Sequence, residues 1–242
     1  MRSPDTEMRT YLKRLVNCYM NLDCMDRQLS EMARWKVGDK RKAFERGEAF
    51  FNWAAYSLSR TILVELAAML SPSADRSLID WLGKAKEHAE SLKPTRYNQN
   101  SPNERETLSK DAYRAVIDAQ LLQLNSHAIT SDNILSHRNK AIAHFDKPYF
   151  ENPEQIHEDY PLSKKDVRLL LNEVRDILKD HYGYLFESDL NMQVQSLYTL
   201  DAVLEYTLGF IRMQEDPDLL EKGFEPMKYL PELEPRIFPR GA

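Results

Sequence analysis

The sequence predicts an all-α fold: an antiparallel bundle of amphipathic helices, then a C-terminal helical extension and a proline-rich tail. Three observations carry that expectation. Only 7 of the 242 residues are glycine, whereas sheets and barrels need glycine at turns and bulges. Long segments repeat apolar residues at helical spacing, and none alternates apolar with polar residues as a half-buried strand would. No internal repeat or low-complexity segment interrupts the pattern. Hydrophobic residues make up 42% of the chain, enough for a core, so residues 1–185 read as the bundle and 186–242 as the C-terminal helix with its tail.

Residues 5–36 form the first helix on Leu12, Leu15, Val16, Tyr19, Leu22, Met25 and Leu29, with Gly38 as its stop. The second runs from Phe44 to Leu70. Its stretch "FFNWAAYSLSRTILVELAAML" is apolar around most of its circumference, which places it at the centre of a bundle. Ser71 or Ser73 is positioned to cap a short helix from Asp75 to about Ser91. "LKPTRYNQNSPNERE" reads as a loop that ends in a helix start, with Ser101 as cap, Pro102 in the first turn and Glu104 closing a capping box. That helix reaches about Ala128, and Thr130 or Ser131 caps the next. "KPYFENPEQIHEDYP" is a long polar and aromatic loop. Ser163 opens an amphipathic helix on Val167, Leu170, Val174, Ile177 and Leu178. A last helix, about Val194 to Met213, precedes an acidic tail with five prolines beyond residue 216.

Net charge of −5 and a pI near 5.8 carry no global signature of nucleic-acid binding, although an enzyme needs only a local basic site. Cys18 and Cys24 lie about 9 Å apart in helical rise, too far for an easy disulfide. Two cysteines are too few for a four-cysteine zinc site. The charged stretch "MRSPDTEMRTYLKRL" lacks the apolar centre of a signal peptide, and no run reaches the ~20 apolar residues of a membrane span. A cytoplasmic location is expected. Phosphate-binding loops, HExxH and GxSxG patterns are absent, so no cofactor or metal is expected. His157-Glu158-Asp159 is a compact polar triplet that reads as a solvated loop ahead of a metal site.

The densest chemistry lies in "SHRNKAIAHFD", Ser136–Asp146, where Ala141-Ile142-Ala143 reads as a packing turn between polar ends. On a regular helix His137, Ala141 and His144 share one face, while Arg138 and His144 stand about 120° apart with about 9 Å of rise between them. They cannot touch there, but they can converge on one long ligand or across a twofold interface. The residue types suit a phosphodiester. Arginine offers a bidentate fork to phosphate oxygens and stays charged. Histidine titrates near neutrality and can move a proton during attack by a ribose 2′-hydroxyl. Asn139 can orient either group, and His137, Lys140 and Lys147 are candidate RNA contacts. Ordinary helices also produce this spacing, with the histidine as a satisfied structural residue, and spacing alone leaves both readings open.

"RNKAIAHFD" resembles the Arg-x(4–6)-His motif of the HEPN superfamily (higher eukaryotes and prokaryotes nucleotide-binding domains), in which a polar residue follows the arginine. Its context is similar to the AbiU-like, abortive-infection branch, whose members carry RNK-x-x-AH and then Asp. In that branch the motif follows an aromatic-rich helix, here "FFNWAAYSLSRTILVELAAML", and a short one, here "SLIDWLGKAKEH". The resemblance covers about residues 5–185. It implies a helical bundle that homodimerises so that two copies of the motif line one cleft. It also implies metal-independent endoribonuclease chemistry of the phage-defence or toxin–antitoxin kind, leaving a 2′,3′-cyclic phosphate. By motif match Arg138 would hold the phosphate, His144 would act as general acid or base, and Asn139 would be the accompanying polar residue. A tyrosine two positions after the histidine is common where an antitoxin silences such proteins. Here that position is Asp146, and the nearest tyrosine is Tyr149. The alternative is a non-catalytic module that binds RNA or protein, or only dimerises. An antitoxin or other defence partner is compatible with either.

Overall fold

Helix α1 (Pro4–Trp35) follows the expected apolar periodicity and stops where Gly38 takes the left-handed conformation, φ +68°. The computed structural model describes residues 3–98, 101–144, 146–190 and 200–221. The chain packs as two units: Met1–Ser30 with Asn52–Gln195, and Glu31–Phe51 with Ser196–Ala242. The fold is all-α apart from one two-stranded hairpin among the described residues.

In the larger unit, α1 buries Leu12, Leu15, Val16, Tyr19 and Leu22. They join one core with Ile62, Leu66 and Met69 of α3 (Glu48–Leu70) and with Leu78, Trp81 and Leu82 of α4 (Leu78–Glu87). A four-residue helix, α5 (Ala89–Leu92), follows α4. Tyr113, Ile117 and Leu124 of α6 (Lys110–Asn125), Ile134 of α7 (Ala128–Ser136), and Leu170, Val174, Ile177 and Leu178 of α10 (Lys164–Phe186) complete the core. The smaller unit has its own apolar centre. There Phe44 of α2 (Arg41–Arg46) stacks on Phe51 at 5.0 Å, near the buried Leu204, Leu208 and Ile211 of α11 (Leu200–Gln214). A short α12 (Pro217–Glu221) ends the described chain.

Several sequence expectations are corrected. The second helix is not continuous from Phe44: it breaks at Gly47, where a Cβ would come within 2.9 Å of the Phe51 ring. Nor is α3 central along its length, because Phe50, Trp53 and Tyr56 recur on one exposed face, and apart from Phe51 its buried hydrophobic residues lie in its second half. Ser77, not Ser71 or Ser73, caps α4 by accepting from the Asp80 amide at 3.0 Å. Replacing Ser77 by alanine is expected to cost about 1 kcal/mol, seen as a fall of roughly 2–4 °C in Tm by thermal denaturation. Helix α7 starts at Ala128 without a side-chain cap, so Thr130 and Ser131 lie inside its first turn. The predicted start of the last helix at Val194 and the tail beyond residue 221 lie outside the described residues.

The largest correction is the stretch read as a loop with a capping box at Ser101. It forms an antiparallel hairpin, β1 (Thr95–Asn98) with β2 (Ser101–Thr107). Arg96 faces Glu106, bonded at 2.6 Å, and Tyr97 faces Arg105. The Leu108 amide donates to the Pro94 carbonyl and closes the base at 2.8 Å. A polar two-stranded hairpin is unstable by itself. Here Arg105 ties it to α10 by donating to the Gly183 carbonyl at 2.8 Å. With Ser101 in a strand, the cap of α6 passes to Ser109, which accepts from the Ala112 amide at 3.2 Å.

Candidate functional site

The segment singled out in the sequence continues directly from α7, but as a π-helical turn, His137–Ala143, rather than a regular helix. Winding with i→i+5 bonds widens the turn, a rare feature that recurs at functional sites. The Asp146 amide closes it by donating to the Lys140 carbonyl at 2.8 Å. The change of pitch moves His137 and His144 off the shared face that a regular helix would give them. His137 is buried, with 4% of its surface exposed, whereas His144 is exposed. The expected packing turn is corrected as well. Ala141 and Ile142 are only half-buried and Ala143 is exposed, so Ile134 and His137 are the buried anchors.

Arg138 is exposed, and its Nη1 donates to the neighbouring Asn139 Oδ1 at 2.9 Å. That contact restrains the guanidinium beside an amide and leaves its other donors without a partner among the described residues. Lys147, the first residue of α8 (Lys147–Glu151), is exposed and lies 3.7 Å from Glu151. Lys140 is engaged internally: its ammonium donates to the Tyr160 hydroxyl and lies 4.5 Å from the centre of that ring. The bond to Tyr160 holds the Lys140 pKa above its ordinary value, and the same bond pulls Tyr160 below that of a free phenol.

Tyr160 was not among the residues singled out, yet it holds the turn from two sides. Its backbone carbonyl accepts from His137 Nε2 at 2.7 Å. Burial pushes the His137 pKa down, so the imidazole is neutral with its proton on Nε2. His157 of α9 (Gln155–Asp159) packs its ring 5.1 Å from that of His137. Tyr149 donates to Asp159 at 3.0 Å, and desolvation with that carboxylate pushes it up to about 12. Asn133 of α7 donates to the Pro161 carbonyl at 2.8 Å. The stretch expected as a loop instead winds into α8 and α9, and it clamps the motif segment. Its signal in the sequence was the run of aromatic and imidazole side chains in a stretch otherwise too polar to fold on its own. Four carboxylates, Glu151, Glu154, Glu158 and Asp159, accompany those rings. Among the described residues no three His, Cys, Asp or Glu side chains group as a metal site, and no helix is long and apolar enough to cross a membrane.

The turn therefore sorts its polar residues into two sets. Arg138, Asn139 and His144 project outward or stay accessible, whereas His137 and Lys140 are tied to the clamp. An accessible guanidinium with an accessible imidazole can bind an anion and exchange protons with it. No curated protein and no solved structure matches the chain. A family model, that of AbiU2 HEPN proteins, matches residues 19–202, a span that includes the motif and enters α11. The chain belongs to the AbiU2 family of HEPN domains, an abortive-infection-associated group.

Proposed function

We propose that this protein is a metal-independent endoribonuclease of a phage-defence or toxin–antitoxin system, acting in the cytoplasm as a homodimer. The observation that carries the reading is the sorting at the π-helical turn, which leaves Arg138, Asn139 and His144 available to one ligand. Arg138 would hold the scissile phosphate with Asn139 aligning it. His144 would take the proton from the attacking 2′-hydroxyl or return one to the leaving 5′-oxygen. Lys147 and, once released from Tyr160, Lys140 would meet flanking phosphates. His137 would serve RNA binding only through the turn that it supports. The test is cleavage of a single-stranded RNA by the purified protein in excess EDTA, with product ends analysed for 2′,3′-cyclic phosphate. Intact RNA at micromolar protein counts against the reading.

A composite site needs a second copy close to the turn. Leu122 on α6 and Ile129 on α7 are 71% and 80% exposed and precede the motif on the same stretch of chain. Apolar side chains so exposed are candidates for an interface. Replacing both by glutamate is expected to convert a dimer to monomer by light scattering and to abolish cleavage, with an unchanged circular dichroism spectrum. A dimer that persists places the interface elsewhere.

One observation favours the second reading, a non-catalytic protein-binding module. The four carboxylates of the α8–α9 stretch next to the motif oppose a polyanion. Under that reading RNA is neither cut nor shifted in a gel, and loss of Arg138 or His144 weakens only the dimer.

A further inference from the structure

The hairpin and the C-terminal end of α10 enclose a cleft of about 400 Å³, separate in its residues from the motif segment. Arg96, Tyr97 and Arg105 line it from the hairpin, and Lys179, Asp180 and Tyr184 line it from α10. Arg105 lies over the Tyr97 ring at 4.2 Å while donating to Thr95 Oγ1 at 3.2 Å and to α10. One face of Tyr97 is therefore backed by a guanidinium, and the residue is still 48% exposed. Lys179 is exposed and makes no hydrogen bond or salt bridge among the described residues.

Asp180 ends a buried polar chain whose direction can be derived. A carboxylate only accepts, so Gln120 must turn its amide nitrogen toward Asp180 Oδ2, at 3.2 Å. The Gln120 oxygen then accepts from His181 Nε2 at 2.7 Å. His181 Nδ1 is left to accept from the Tyr113 hydroxyl at 2.9 Å. Tyr113, His181 and Gln120 are buried, and each points its hydrogen toward the same carboxylate. The chain fixes Asp180 through Oδ2 and leaves Oδ1 without a partner among the described residues. Although Asp180 opens to the cleft, desolvation by the nearby core pushes its carboxyl pKa up.

An aromatic face backed by a cation, an anchored acceptor and an exposed ammonium beside it, gathered in one concavity, match the parts of a nucleotide. We propose that this cleft binds a nucleotide, free or as an unstacked residue of single-stranded RNA. The base stacks on the open face of Tyr97, its Watson–Crick N–H groups donate to Asp180, and its phosphate pairs with Lys179. Guanine presents two adjacent N–H donors to a carboxylate and is the base expected to bind tightest. The inference does not depend on RNA cutting at the motif.

The test is calorimetric titration of the full chain with each of the four 5′-nucleoside monophosphates and with a short single-stranded RNA. Guanosine monophosphate is expected to bind saturably, and Tyr97→Ala to weaken it on the order of tenfold or more. Lys179→Ala, a change at an exposed position, is expected to weaken it without altering Tm, and Asp180→Asn to erase the preference for guanine. Binding of the oligonucleotide alone, weakened by the same variants, identifies the cleft as an RNA subsite. Binding of the mononucleotide identifies a free ligand. Failure of both probes to bind, or binding that all three variants leave intact, overturns the proposal. So does binding that is lost in Arg138→Ala, because the probe would then sit at the motif.

Discussion

Replacing Arg138 or His144 by alanine is expected to reduce RNA cleavage in EDTA on the order of a hundredfold or more, the scale of one lost acid–base group. The two changes should differ in kind. Without the guanidinium the phosphate loses its bidentate partner in ground and transition states, so KM rises as kcat falls. Without the imidazole the phosphate still binds, and the loss falls on kcat. Both side chains are exposed, so neither change should unfold the bundle. Light scattering should report the same oligomeric state as the wild type. If both variants cut RNA as the wild type does, the assignment of the site is wrong, whatever activity the protein has.

Acid should destabilise the larger unit through His181. This residue is fully buried, with its ring 4.7 Å from Trp81, and burial pushes its pKa down to about 3. In the unfolded chain the same imidazole titrates near 6.5. Between those values the unfolded state holds a proton that the folded state refuses, so stability rises with pH across the window and falls on acidification. At ~1.4 kcal/mol per pH unit the loss amounts to roughly 4–5 kcal/mol between pH 6.5 and 3. His137, also pushed down by burial, adds a change of the same sign. Asp180 works against it, since its raised pKa favours the folded state at low pH and that contribution is lost as pH rises. Urea unfolding at pH 7.5, 6, 5 and 4 measures the slope. His181→Gln, which removes the titration, should flatten it, and parallel slopes in the two proteins would exclude His181 as the source.

The long amphipathic helices were legible because their evidence is local. The apolar spacing of Leu12, Leu15, Val16, Tyr19 and Leu22 dictates which face of α1 is buried, and the same holds for Leu170, Val174, Ile177 and Leu178 of α10. The hairpin was not legible from apolar spacing. Its signals are cross-strand pairs, Arg96 with Glu106 and Tyr97 with Arg105, and an anchor on Gly183 some eighty residues away. The exposed aromatic face of α3 was likewise misread as interior, because apolar composition does not reveal whether a neighbour exists to cover it. At the candidate site, the residue types in "SHRNKAIAHFD" pointed to anion chemistry, but a regular-helix projection grouped His137 with His144. The π pitch separates them, and no residue in the segment announces that pitch.

By itself, then, the sequence determined an all-α chain of amphipathic helices and the cluster that carries Arg138, Asn139 and His144. It could do so because helical periodicity and residue chemistry are properties of neighbours along the chain. Tertiary structure alone decided which of those polar side chains remain free to act. Tyr160, sixteen residues beyond His144, takes up His137 and Lys140, and a hydrogen-bond partner brought in by folding leaves no trace in the spacing of the groups that it engages.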